Sequence, residues 1–286
     1  MEAQTVRSST KGQAVRPYRQ TLTRRPPTLT SSSLRNVGAV ANIAHRGASA
    51  YAPENTLAAL RKAIARDADL VEFDVRRSKD GALVLLHDHT LDRTTDVRSV
   101  FPGRAPWRVS DFTYEELISL DAGSWKSADY AGERIPTLAE ALQVLGLSGS
   151  GALVELKTPR LSAGMVPEVA IVVLDVPTRL SVQSFDHVAM RELKQIAPCV
   201  SVGVLGTPPR SSLTELGEWA DQVNPHHRRA DKAYVDEVHA AGMDCFVWTV
   251  DRASAMRRAV RLGVDGVITN RPDLLHRLRS PLSLGL

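Results

Sequence analysis

Cysteines, aromatic side chains and long apolar runs are all scarce in this chain, and each shortage removes a class of protein. Two cysteines, Cys199 and Cys245, cannot build a disulfide framework, and neither lies in a CxxC or Cys/His pattern that would hold zinc; both read as small core residues. No uninterrupted apolar stretch is long enough to cross a bilayer, and none follows the basic N-terminus as a signal-peptide core would. No stable membrane anchor is therefore expected, and cytoplasmic residence is the default. Arg24-Arg25 resembles a twin-arginine signal only until Pro26-Pro27 and the polar run TLTSSS that follow. Nothing in the sequence sets an oligomeric state.

What is present begins with an uneven charge. The formal net charge is +4, yet residues 1–40 hold seven Lys/Arg against one acid, so the remaining 246 residues carry a net −2. Ser, Thr, Pro, Arg and Gln dominate those first 40 residues without apolar periodicity, which reads as a disordered basic tail. Such a tail could touch an anionic surface. A nucleic-acid partner is not expected, because the body lacks both excess positive charge and a reader motif.

From residue 41 the pattern alternates. ANIAHRG (41–47) reads as a strand, ENTLAALRKAIARDA (54–68) as a helix, and LVEFDVRRS (70–78) as a second strand. Lys79-Asp80-Gly81 marks a turn into an additional strand, ALVLLHD (82–88). An irregular insertion of about 89–134 follows, with one short helical piece near 114–120. Helix 137–145 and strand 152–158 resume the alternation. Further strands are expected at 179–185, 199–206, 221–226, 244–250 and 264–270, each followed by a helix. Eight βα units over residues 41–286 match an α/β (β/α)8 TIM barrel with a small insertion after the second strand region. A doubly wound open sheet shares this alternation, but its first turn normally carries GxGxxG, whereas here the segment reads HRGASAYAPENT.

Chemistry gathers at the predicted strand ends. Glu72 and Asp74 are two residues apart on a strand, so both carboxylates project to one face, while Val71, Phe73 and Val75 face the helices. Two carboxylates in a barrel mouth repel unless a counter-charge is present, and oxygen donors of this kind favour Mg²⁺ or Ca²⁺. Glu155 is a natural third ligand. His45 and His87, at the ends of different strands, can converge across the mouth, one accepting a proton while the other donates. Arg46 offers a planar fork for phosphate oxygens, Lys157 a compact charge, and Gly47 a sharp turn out of the strand. Glu54 and Asn55 are either metal-site support or helix caps, and Trp248 is either a substrate wall or barrel packing. His89 and the His226-His227 pair read as solvent-facing.

Several motifs in fixed order carry a resemblance: IAHRGASAYAPENTLAAL, DLVEFDVRRSKDGALVLLHDHTLDRTTD, LDAGSW, IPTLAEAL, LVELK, FVWTVD and GVDGVITNRPDLL. Across about residues 41–278 the chain resembles the glycerophosphodiester phosphodiesterase family. That resemblance implies a metal-dependent barrel hydrolysing glycerophosphodiesters to sn-glycerol 3-phosphate and an alcohol. It implies His45 and His87 as the acid/base pair, Glu72, Asp74 and Glu155 as metal ligands, and Arg46 and Lys157 as phosphate-binding cations. It further implies attack by the neighbouring glycerol hydroxyl through a cyclic phosphate. Lysophospholipase D action would use the same residues with an apolar entrance, for which the insertion offers Phe101, Trp107, Phe112, Tyr114, Trp125 and Tyr130. A barrel that binds without catalysis is the alternative of a different class.

Overall fold

The computed structural model describes residues 40–279, so the expected basic tail lies outside the described residues apart from Val40. Nine strands form one sheet: β1 (Ala41–Ala44), β2 (Leu70–Arg77), β3 (Leu83–Leu85), β4 (Gly151–Leu156), β5 (Leu180–Ser184), β6 (Ser201–Leu205), β7 (Gln222–Asn224), β8 (Asp244–Val247) and β9 (Gly266–Thr269). All but β3 are parallel to their neighbours. Because β1 pairs with both β2 and β9, those eight strands close into a barrel. β3 runs antiparallel on the outer edge of β2. This is the (β/α)8 TIM barrel, and the closed β1–β2 pairing excludes the open sheet.

Helices α1 (Leu57–Ile64), α2 (Val97–Val100), α3 (Tyr114–Ile118), α4 (Leu138–Ser148), α5 (Met165–Asp175), α6 (His187–Ile196), α7 (Leu213–Gly217), α8 (Lys232–Ala240), α9 (Ala253–Leu262) and α10 (Pro272–Arg279) complete the fold. Period-two alternation sorts the strand residues. Val71, Phe73 and Val75 pack outward with Leu60, Leu138 and Leu142, whereas Ile43, Leu70, Leu153, Phe246 and Ile268 fill the barrel interior. Residues two apart share a face, so Glu72 and Asp74 follow Leu70 inward, and Glu155 follows Leu153, to the mouth end of the barrel, where chemistry can be placed.

Two expectations need correction. The first helix begins at Leu57 rather than at residue 54, because Thr56 is its N-cap, accepting from Ala59 N at 3.3 Å, and Asn55 sits at φ 59°, outside helical space. Cys199 is exposed, in the turn between α6 and β6, and only Cys245 belongs to the core.

Between β3 and α4 the chain folds around its own small apolar centre, with Leu91, Val97, Phe112, Leu117 and Ile135 buried together. This segment leans on the loop after β1. Lys126 Nζ donates to Ser49 O at 2.8 Å, and the Tyr130 hydroxyl donates to Tyr51 O at 2.8 Å.

Candidate active site

Strand ends set the positions. His45 leaves β1 with its N–H on Thr269 O at 2.8 Å, and Arg46 and Gly47 then turn the chain through φ 54° and 77°. A Cβ at Gly47 would lie 2.5 Å from Ala59 C, so the tight turn against α1 requires glycine. The β2–β3 hairpin brings its second arm back beside Asp74, with Leu86 N donating to Asp74 O at 3.1 Å, and so delivers His87 to the same mouth. His45, Arg46, Glu72, His87, Glu155 and Lys157 line one pocket together with Gln183, Phe185, Leu205, Trp248 and Ile268.

Glu72, Asp74 and Glu155 are buried, and each offers a carboxylate oxygen within 4.8 Å of the others. Burial and the neighbouring acids push Glu72 well above the usual carboxylate range, and burial with Asp74 pushes Glu155 to about 7. Asp74 is also buried, but Lys157 and Arg46 hold it low. Glu72 Oε1 is buried with no hydrogen-bond partner, which is the mark expected of an oxygen reserved for a cation. The donor set is all oxygen, so the triad fits a hard divalent ion.

Both cations lie against these acids. Lys157 Nζ is 2.9 Å from Asp74 Oδ1 and also hydrogen-bonds Glu155, while Arg46 Nε is 3.3 Å from Asp74 Oδ2. Arg46 also reaches Glu54 Oε1 at 2.9 Å. Asn55 grips Asp74 twice: Nδ2 donates to Oδ2 at 2.8 Å, and Oδ1 accepts from Asp74 N at 3.1 Å. Glu54 and Asn55 therefore contact the site, and the capping role falls to Thr56.

The two histidines have different partners. Asn270 Nδ2 donates to Asp251 Oδ2 at 2.6 Å, which turns Asn270 Oδ1 toward His45 Nδ1 at 2.7 Å. His45 must then donate from Nδ1, leaving the Nε2 lone pair open, 4.0 Å from Glu72 Oε2. Burial, then the Arg46 charge, lowers its pKa to about 4. His87 Nδ1 instead donates to the Asp88 carboxylate at 2.7 Å; burial lowers His87 too, opposed by Asp74 and Asp88.

Arg93 was not identified from sequence. Its guanidinium donates to Asp88 Oδ2 at 2.5 Å and to Glu54 at 2.7 and 3.0 Å, joining the partner of His87 to the partner of Arg46. Only the LDRTTD context pointed toward it.

Trp248 is partly buried against the barrel-interior cluster. It lines the pocket, its Nε1 donates to Asn224 O at 2.8 Å, and its ring meets Phe185 and His226 edge-on. His226 is accordingly packed on Trp248 rather than solvent-facing, whereas His89 is exposed. The insertion's aromatics do not form an entrance as a group. Phe112 is fully buried, and Phe101, Trp107 and Tyr114 pack around it.

Residues 45–274 match the model of the glycerophosphoryl diester phosphodiesterase family. The chain belongs to this family. A glycerophosphodiester phosphodiesterase of Caldanaerobacter subterraneus is 36% identical over 246 residues, spanning 82% of this chain and 96% of that one. One from Bacillus subtilis is 31% identical over 263 residues, spanning 84% and 86%. Among solved structures, an Oleispira antarctica phosphodiesterase in complex with the product sn-glycerol-3-phosphate superposes with a TM-score of 0.77 at 31% identity, covering 85% of this chain and 97% of that one. The protein is thus an enzyme, a phosphodiesterase built on a TIM barrel. Among the described residues, no helix is long and apolar enough to cross a membrane.

Proposed function

We propose that the chain hydrolyses glycerophosphodiesters to sn-glycerol 3-phosphate and an alcohol, with Glu72, Asp74 and Glu155 holding Mg²⁺ or Ca²⁺. The observation that carries this reading is the convergence of two differently partnered histidines, two cations and a buried oxygen triad on one pocket. A bound divalent ion would supply positive charge that polarises the phosphoryl group and offsets charge building on its oxygens. With the acids occupied by such an ion, Arg46 and Lys157 would be free to hold the phosphate oxygens.

The hydrogen-bond partners divide the proton work. His45 donates to a neutral amide and presents a lone pair, so it accepts the proton of the glycerol hydroxyl adjacent to the phosphate. His87 leans on a carboxylate that stabilises an imidazolium, so it protonates the departing alcohol oxygen. In this step the glycerol oxygen bonds to phosphorus and the bond from phosphorus to the alcohol breaks, leaving a five-membered cyclic phosphate. In the second step His87 takes a proton from water, water opens the ring, and His45 returns its proton to the glycerol oxygen. Holding the nucleophile within the substrate supplies the proximity advantage of an intramolecular reaction.

Purified protein is expected to release sn-glycerol 3-phosphate from glycerophosphocholine or glycerophosphoethanolamine, with activity lost in EDTA and restored by added Mg²⁺ or Ca²⁺. His45→Ala and His87→Ala are each expected to lower kcat by about 10²–10⁴-fold. Full turnover by His87→Ala would remove the proton assignment, and indifference to EDTA would remove the metal.

A further inference from the structure

Two cavities meet at Lys157. The catalytic pocket has a volume of about 100 Å³, with Leu205, Trp248 and Ile268 among its lining residues. A second, open groove of about 580 Å³ runs between the mouth ends of β4 and β5, and it shares Glu155, Lys157 and Phe185 with the pocket. We propose that this groove receives the alcohol half of the diester and selects for alcohols with an apolar substituent. The assignment rests on the glycerophosphodiesterase reading above.

Size and access assign the two halves of the diester. A phosphorus held by Lys157 sits at the junction, so its two substituents enter one cavity each. The glycerol half is the same in every substrate and suits the smaller pocket. That pocket holds one oriented amide: Phe246 N donates to Asn224 Oδ1 at 3.2 Å, Asn224 Nδ2 donates to Gln183 Oε1 at 2.8 Å, and Gln183 Nε2 is therefore the end left to face a ligand hydroxyl. The alcohol half varies, must depart after the first step and must be replaced by water. It suits the open side.

The lining then gives the chemistry. Leu161 and Phe185 stand at the groove with 86% and 56% of their surface exposed. The groove's own charged pair is spent internally, since Arg160 Nε donates to Asp186 Oδ2 at 2.6 Å and Asp186 Oδ1 caps α6 by accepting from Ala189 N at 3.2 Å. An ionic head group thus meets a self-neutralised wall, whereas an aliphatic one covers Leu161 and Phe185 and removes their surface from water.

The test is kcat/KM for the octyl and ethyl esters of sn-glycerol 3-phosphate, with lysophosphatidylcholine as a substrate whose acyl chain is on the glycerol half. In the unmodified protein the octyl ester is expected to exceed the ethyl ester by about tenfold, since a fully buried methylene gains roughly fourfold and an open groove buries the six extra ones only in part. In Leu161→Glu the ratio should fall to near one, and Leu161→Met should restore it. Equal turnover of octyl and ethyl esters by the unmodified protein would overturn the groove assignment alone. So would a lysophosphatidylcholine rate that matches the octyl ester and falls in Leu161→Glu, because the groove would then hold the glycerol half. Failure to hydrolyse any of these esters or glycerophosphocholine would overturn the enzymatic reading and the groove with it.

Discussion

At the scale of single residues, Arg93 makes the least expected contribution. It touches neither Glu72, Asp74 and Glu155 nor the pocket, yet its guanidinium bridges Glu54 and Asp88 and so links Arg46 to His87. Its side chain is 44% exposed, so replacing it should change global stability by less than about 0.5 kcal/mol. Arg93→Met is expected to lower kcat about tenfold with little change in KM, because Asp88 loses the donor that fixes it against His87. Arg93→Lys should recover part of the loss, and pairing Arg93→Met with Asp88→Asn should add little to either alone. Equal losses in kcat and thermal stability would instead mark Arg93 as a structural clamp. Glu72, Asp74, His45 and His87 were legible in the sequence because strand period and strand ends decide where such side chains point. Arg93 was not, since no periodicity governs how far a long side chain reaches from irregular backbone. Asn55 shows the same limit: its neighbour Thr56 took the cap, which left Asn55 to hold Asp74.

At the scale of elements, the strands were readable, and of the insertion its irregular course and short helix α3 were, but not what holds it together. Strands such as β2 alternate two buried sets, apolar toward the helices and acidic toward the mouth, so their register follows from sequence. The insertion instead depends on side chains gripping backbone. Asp121 is its staple: Oδ1 accepts from Gly123 N and Ser124 N at 2.8 Å, and Oδ2 accepts from Gly132 N at 2.8 Å and Ser124 Oγ at 2.7 Å. Burial opposes the charged form, but these donors outweigh it and hold Asp121 below the ordinary carboxylate range. A depressed folded pKa means that the stabilisation is complete above the unfolded value of about 4 and is lost as pH falls toward the lower folded value. Asp121→Ala is expected to lower the local opening free energy of residues 121–133 by about 2 kcal/mol, roughly 30-fold in amide exchange. Exchange measured by mass spectrometry should rise in this segment and leave β5 to β8 unaffected. Acidification below about pH 4 should reproduce the change in the unmodified protein but not in Asp121→Ala. Protection of the segment unchanged by the substitution would show that the apolar centre around Phe112 holds the insertion by itself.

At the scale of the whole molecule, a barrel is stable only if its first and last strands meet, and this closure depends on groups far apart in the chain. β1 joins β9 along four residues, from Ala41 with Gly266 to Ala44 with Thr269, but beyond the strands one acid ties the ends together. Asp69, just before β2, accepts from Asn42 N at 2.6 Å and pairs with Arg279 at the end of α10, whose Nη1 also reaches Val40 O at 3.1 Å. Asn42 Nδ2 adds a bond to Pro272 O at 2.9 Å. These contacts gather at the start of β1 and β2, the barrel end opposite the catalytic mouth, where TIM barrels carry stability rather than chemistry. Asp69→Ala is therefore expected to cost about 1–2 kcal/mol, or a fall in Tm of roughly 2–8 °C for a domain of this size. Its kcat and KM should match those of the unmodified protein at temperatures well below that transition. Deleting residues 1–39 leaves every one of these contacts in place and is expected to leave both Tm and turnover unchanged, whereas deletion through Ala44 removes the strand that closes the barrel and should abolish cooperative unfolding. A marked loss of turnover on removing residues 1–39 would instead place part of the working site in that segment.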